Sequence, residues 1–248
     1  MTILLYQEDP YLSQAPSIVA GYTSEGGIIL HQSIFYPTGG GQPGDSGTLS
    51  WEGRKCEIAA AIKAGEGQIA LIASDTASLP PIGALVIQSL DWERRHRHMR
   101  MHTALHLLSV VMPFPVTGGQ IGAQKGRLDF KLEAAPQDLA ALDRALNDLI
   151  DQDFEVTESW ITESELSAKP HLVKTMSVKP PMGQGRIRLI RIGSQADLID
   201  LQPCGGTHVA RTSEIGRVSL GKIENKGAQN RRVHVHFENQ FLACTLCN

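Results

Sequence analysis

Apolar residues recur along this chain with two periods, and the change between them falls near residue 90. Before it, short apolar runs (Ile28–Leu30, Ile58–Ile62, Gln68–Ala73 and Ala84–Ile87) alternate with Gly- and Pro-rich turns, and no amphipathic helical stretch interrupts them. Runs of this length at this spacing predict the strands of a small barrel or sandwich. Beyond Asp91 the helical period takes over. Arg97–Val111 is predicted as a helix stopped by Pro113 and Pro115, and Pro136 opens a second in which Leu139, Leu142, Leu146, Leu149 and Ile150 share one face. Thr162 and Glu165 have capping-box spacing, which predicts a short helix ending near Lys169-Pro170. Between the helices, Gly118–Leu132 reads as a tight turn followed by a strand over Arg127–Leu132. Ile187–Ile192 and Val218–Ile223 read as further strands. In Arg231–Phe237, Val233, Val235 and Phe237 face one way and Arg232, His234 and His236 the other, which makes the two histidines surface positions of a strand. The expectation is an α+β protein: a glycine-rich β-barrel domain over residues 1–90, then an α+β domain over residues 91–248 with helices packed on a mainly antiparallel sheet.

Composition changes this picture little. The 248 residues are 42% apolar, enough for real cores, and no apolar run is long enough to cross a bilayer. The start of the chain lacks the basic lead of a signal peptide, and four cysteines make no disulfide framework, so a reducing, cytoplasmic setting and no membrane partner are expected. Cys244 and Cys247 form a lone Cys-x-x-Cys with no companion pair, and read as an incidental tail. A net charge of −3 argues against general nucleic-acid binding. Basic residues nevertheless cluster locally, over Arg94–Arg100, at Arg186, Arg188 and Arg191, and at Lys222, Lys226, Arg231 and Arg232. Such clusters are compatible with an anionic substrate larger than a metabolite.

The strongest chemical signal is a matched pair of pairs. His102 and His106 lie four apart on the first predicted helix, and Cys204 and His208 repeat the spacing in Gln-Pro-Cys-Gly-Gly-Thr-His. Residues four apart on a helix share a face, so both imidazoles can reach one ion. A single such histidine would be read as a buried core residue, and Cys204 alone as a small hydrophobe. Four in matched pairs favour metal, and nitrogen with thiolate points to zinc. The excursion between the pairs is too long for a zinc finger, which places the site between elements of a domain with its own core.

Three stretches carry a family resemblance: Met101–Leu108, Cys204–His208 and the glycine-rich Phe35-Tyr-Pro-Thr-Gly-Gly-Gly-Gln-Pro-Gly-Asp-Ser-Gly-Thr-Leu49. Together they resemble the editing module of alanyl-tRNA synthetases and the free-standing AlaX-type alanyl-tRNA editing proteins. Asp91-Trp-Glu-Arg-Arg95, Gly126–Phe130 and Lys222–Gly227 add to the likeness. The resemblance implies a trans-editing hydrolase that deacylates mischarged alanine tRNA, chiefly seryl- and secondarily glycyl-tRNA, with the acceptor end of that tRNA as partner and zinc as cofactor. Such an enzyme answers a physical need, because a pocket built for a methyl group rejects serine or glycine by only about 1–3 kcal/mol.

Within that resemblance His102, His106, Cys204 and His208 are the metal ligands. With three ligands the open position holds a water activated for attack, and with four the metal positions substrate by changing its coordination; His208 is the replaceable member. Gly205 and Gly206 offer N–H groups to an oxyanion, or form an ordinary tight turn. Thr38, Gly40, Gly41, Gln42 and Thr207 are expected around the amino acid, and Gln120 as a polar contact acting in catalysis. Two alternatives stand beside this reading: a threonyl-tRNA-type editing domain, and a nonenzymatic, zinc-stabilised module that binds tRNA or a synthetase. The oligomeric state has no signature in the sequence.

Overall fold

The computed structural model describes residues 1–65, 67–176 and 185–238. Two compact units divide the chain, one of residues 1–99 with 205–208, the other of residues 100–204 with 209–248.

Eight strands build the first unit: β1 (Ile3–Leu4), β2 (Gln14–Tyr22), β3 (Ile28–Leu30), β4 (Gln32–Ser33), β5 (Gly47–Trp51), β6 (Arg54–Lys63), β7 (Ile69–Ala73) and β8 (Leu85–Leu90). Six close into an antiparallel barrel in the order β2-β3-β7-β6-β5-β8, and β1 pairs in parallel with β4 outside it. The apolar runs supply the wall and its filling: Ile28, Leu30, Leu49, Ile58, Leu71 and Val86 are at most 2% exposed. Removing each such side chain from water contributes roughly 1.5–3 kcal/mol. Strand β2 departs from the apolar-run pattern because Ala15 and Ser17 fill two of its inward positions beside Val19, while Ile18 next to it is 43% exposed. The glycine-rich stretch turns tightly at Gly39–Gln42, where the two end residues exchange backbone hydrogen bonds of 3.0 and 2.9 Å. Gly40 and Gly41 there have φ of 58° and 83°, the left-handed pair a two-residue hairpin turn requires.

Helix α1 (Trp92–Val111) begins five residues before the predicted start. The Asp91 carboxylate accepts the Arg94 N–H at 3.1 Å, which satisfies a donor the first turn would otherwise leave orphaned. In the second unit follow β9 (Val116–Gln120), β10 (Lys125–Lys131), α2 (Leu139–Asp151), β11 (Val156–Thr162), α3 (Glu163–Ser167), β12 (Arg186–Gly193), β13 (Leu198–Pro203), β14 (Val218–Leu220), β15 (Glu224–Asn225) and β16 (Asn230–Phe237). They form two antiparallel sheets, β14-β16-β10-β9 with β15 also on β16, and β11-β12-β13. The predicted α+β class, with its N-terminal barrel and later antiparallel sheets, is what the structure has.

Details differ for local reasons. Gly118 and Gly119 lie in β9 and not in a turn, since Gly119 pairs with Leu128 and a Cβ there would sit 3.1 Å from Leu128 Cδ2. The chain reverses only after Gln120. Helix α2 starts at Leu139, where Asp138 caps it through the Ala141 N–H, so Pro136 precedes the helix and does not open it. The Thr162–Glu165 capping box is present, but α3 is a single short turn whose Leu166 packs with Leu172, Ile187 and Leu189 on one face of β11-β12-β13. Strand β14 stops at Leu220. In β16, Val233 and Val235 are fully buried while His234 and His236 take the opposite face. No helix among the described residues is long and apolar enough to cross a membrane.

Candidate metal centre

Nine consecutive residues of α1, 101–109, carry the site's first half in a buried setting: Met101, Ala104, Leu105, Leu107 and Leu108 are at most 3% exposed. Packing therefore fixes the helix rotation, and with it the two histidines. His102 and His106 are 8% and 7% exposed, their ring centroids 5.1 Å apart and nearly perpendicular. Cys204 follows the end of β13, and its Sγ lies 3.4 Å from His102 Nε2. The ligand atoms of these three residues all lie within 4.8 Å of one another. Two imidazoles and a thiolate can hold a metal ion, and the donor types suit zinc. His208 ends the four-residue segment between Cys204 and Val209 and is 3% exposed.

Behind His106 stands a polar cluster that motif spacing does not reveal. Asp200 Oδ2 lies 3.1 Å from His106 Nδ1, Lys174 Nζ lies 2.5 Å from Asp200 Oδ1, and Gln202 Nε2 donates to Asp200 Oδ2 at 2.7 Å. An ionised carboxylate only accepts, so the proton between them sits on Nδ1 and leaves the Nε2 lone pair for a metal. Burial alone would depress the basicity of His106, but the bonds to Asp200 and Cys204 outweigh it and hold its pKa above the ordinary value. Burial would likewise raise Asp200, yet His106 and Lys174 hold it below the usual carboxylate range. A sequence signal existed: Asp200, Gln202 and Cys204 alternate with Ile199, Leu201 and Pro203, the period of a strand that delivers polar groups to one face.

The sequence of this site and its surroundings is shared widely. A family model described as the threonyl and alanyl tRNA synthetase second additional domain matches residues 187–234, and one described as tRNA synthetases class II (A) matches residues 12–94. The alanyl-tRNA editing protein AlaX-M of Methanosarcina acetivorans is 33% identical over 244 residues, 94% of this chain and 98% of that protein. The chain belongs to the AlaX-M family of alanyl-tRNA editing proteins. Its namesake from Saccharolobus solfataricus is also 33% identical, over 239 residues with the same coverage. The alanine–tRNA ligase of Pyrobaculum arsenaticum is 32% identical over 229 residues, which is 89% of this chain but 25% of the ligase. These AlaX-M relatives thus match along 98% of their length, and the ligase through one quarter of its own.

Other residues expected at the site of this AlaX-M relative have definite places. Gln42 is 1% exposed and spends both ends of its amide on Thr207: Nε2 donates to Oγ1 at 2.9 Å and Oε1 accepts the backbone N–H at 3.1 Å. Thr38 is exposed, and its Oγ1 accepts the Gly44 N–H at 2.9 Å. Gly40 and Gly41 form the tip of the hairpin turn. An added Cβ at Gly205 would meet nothing within 4 Å and its φ is not positive, so neither packing nor turn geometry calls for glycine there. Gln120 is exposed on β9, where its Oε1 accepts from Arg127 Nε at 3.3 Å.

The basic clusters are largely engaged in the fold. Arg95 is fully buried against Asp45, Arg97 pairs with Glu93, and Arg100 donates twice to the Ile215 carbonyl while lying 4.3 Å over the Phe237 ring. Arg232 and Arg127 both bind Asp129. Cys56 is a buried free thiol, and Cys244 and Cys247 lie outside the described residues.

Proposed function

We propose that this protein removes a wrong amino acid, serine or glycine, from alanine tRNA by hydrolysing its ester to the 3′-terminal adenosine. The observation that carries the reading is the cluster of His102, His106 and Cys204, backed by Asp200, in a chain that matches an AlaX-M protein over 94% of its own length and 98% of the relative's. Zinc is the proposed metal, with His208 proposed as its fourth ligand. When bound, zinc supplies Lewis acidity to the ester carbonyl or to water.

The remaining roles belong to the chain. Asp200, through Nδ1 of His106, keeps Nε2 presented toward the metal position. Gln42, by clasping Thr207 at both its hydroxyl and its N–H, orders the 205–208 segment, and Gly205 and Gly206 are the proposed backbone contacts of the oxyanion. The open space at Gly205 admits a substrate carbonyl at close range. Thr38, Gly40, Gly41 and Gln120 are proposed contacts of the acylated end, and the functional division of the chain is proposed at residue 90.

Deacylation of seryl-, glycyl- and alanyl-tRNA for alanine, with seryl-tRNA for threonine as comparison, tests the reading. Wild type is expected to clear the first two and spare alanyl-tRNA, and His102→Ala to lose both zinc and activity. Hydrolysis of the threonine tRNA alone would move the protein to the threonyl type, and zinc binding without any hydrolysis would make it a binding module. Gly205→Ala is expected to keep zinc content while slowing deacylation.

A further inference from the structure

Three strands of the second unit place Cys204, Arg188 and Trp160 in one row. Trp160 pairs directly with Arg188 across β11 and β12, and the Cys204 N–H donates to the Arg188 carbonyl at 3.1 Å, continuing the β12–β13 register by one residue. Directly opposed residues in a sheet project from the same face. The other face is closed by Leu166, Leu172, Ile187 and Leu189. Arg188 is 5% exposed, ion-paired through Nε with Glu158, and its Nη1 lies 3.4 Å from the Cys204 carbonyl. Trp160, in contrast, is 42% exposed at the end of the row. Arg186, also on this face opposite Thr162, is exposed as well.

A large aromatic left in water costs stability that burial would recover, and here it lies two strand spacings, roughly 10 Å, from the thiolate. We propose that Trp160 is a stacking platform for the base of the nucleotide that carries the ester, with Arg186 meeting the neighbouring phosphate. Every base offers a π-face, and an indole beside a guanidinium is a recurrent partner for unstacked single-stranded nucleotides. Arg188 serves as a positioning residue that ties the platform's strand to the backbone of Cys204. The proposal rests on the reading of the protein as an aminoacyl-tRNA deacylase, and it names the element that holds the terminal nucleotide.

The test uses the full chain loaded with zinc and an uncharged RNA minihelix ending in CCA, so that it does not depend on hydrolysis. Wild-type tryptophan emission is expected to fall on titration, with the fall absent in Trp160→Phe. Affinity is expected to drop roughly tenfold to a hundredfold in Trp160→Leu but only about threefold in Trp160→Phe, since phenylalanine retains a π-face and leucine only bulk. Arg186→Ala is expected to flatten the salt dependence of binding. Equal affinities for wild type, Phe and Leu variants overturn the proposal, as does a Leu variant that changes self-association instead of RNA affinity. If wild type deacylates normally while the Leu variant keeps its KM, the platform is wrong and the deacylase reading stands. If no tRNA is hydrolysed but the RNA still quenches Trp160, the reverse holds.

Discussion

Two buried carboxylates, one in each unit, differ in where their hydrogen-bond networks end. Asp45 is 1% exposed and Asp200 2%. Asp45 receives Arg95 Nε at 3.0 and 2.9 Å, the Tyr36 N–H at 2.6 Å and also Arg95 Nη2, while Nη1 donates to the Pro10 carbonyl at 2.9 Å and Nη2 also to the Ile34 carbonyl at 2.6 Å. That network closes on itself. The Asp200 network ends instead on an imidazole whose second nitrogen is turned toward Cys204 and His102. A closed network holds a fold together, whereas one that ends in a directed lone pair prepares a ligand.

The sharpest way to break the comparison is to remove each carboxylate. Asp45→Ala strands a buried guanidinium and is expected to cost about 3–5 kcal/mol, read as a lowered urea midpoint; replacing Arg95 by Met as well should restore much of it. A smaller effect comes from His98, which is 1% exposed with no hydrogen-bond partner for Nδ1. Burial, then the charge of Arg94, lower its pKa to about 4, against partial compensation by Asp45 and Asp91. The folded state therefore refuses a proton that the unfolded chain takes up near pH 6.5. Stability unaffected above that pH should be lost as it falls toward 4, by up to roughly 3 kcal/mol, and His98→Leu should flatten this limb of the denaturation midpoint against pH.

Asp200→Asn should behave differently from Asp45→Ala, with zinc affinity weakened about 10–100-fold in chelator competition and the urea midpoint shifted less. Equal damage to folding from both would mean that Asp200, like Asp45, serves the fold alone. At the small end, Arg217 and Asp151 form an exposed pair, 61% and 58% accessible, and Arg217→Ala should shift the midpoint by less than about 0.5 kcal/mol.

Much of the fold was legible because periodicity is local. The helices around His102 and Leu146, the capping box at Thr162 and the alternation of β16 all follow from nearest neighbours along the chain. Strand β2 was not, since Ala15 and Ser17 are inward without being conspicuously apolar, and Gly118-Gly119 reads as a turn until Leu128 is seen to occupy the space a Cβ would need. The site divides the same way. Matched spacing exposes the candidate ligand pairs, but Lys174 reaches Asp200 from a separate segment with no motif. The clustered arginines read as a surface for an anion, yet Arg95 and Arg100 spend their donors on Asp45 and Ile215.

The sequence by itself determined the fold class, most of the elements, the two candidate pairs of metal ligands and the family, because each is written in spacing between residues close in the chain or in motifs kept in order. Only the tertiary structure decided which charges are spent on folding and which are left for chemistry. That choice depends on partners far apart in sequence, on burial, and on whether a side chain such as Gln42, Asp200 or Trp160 meets protein or open space.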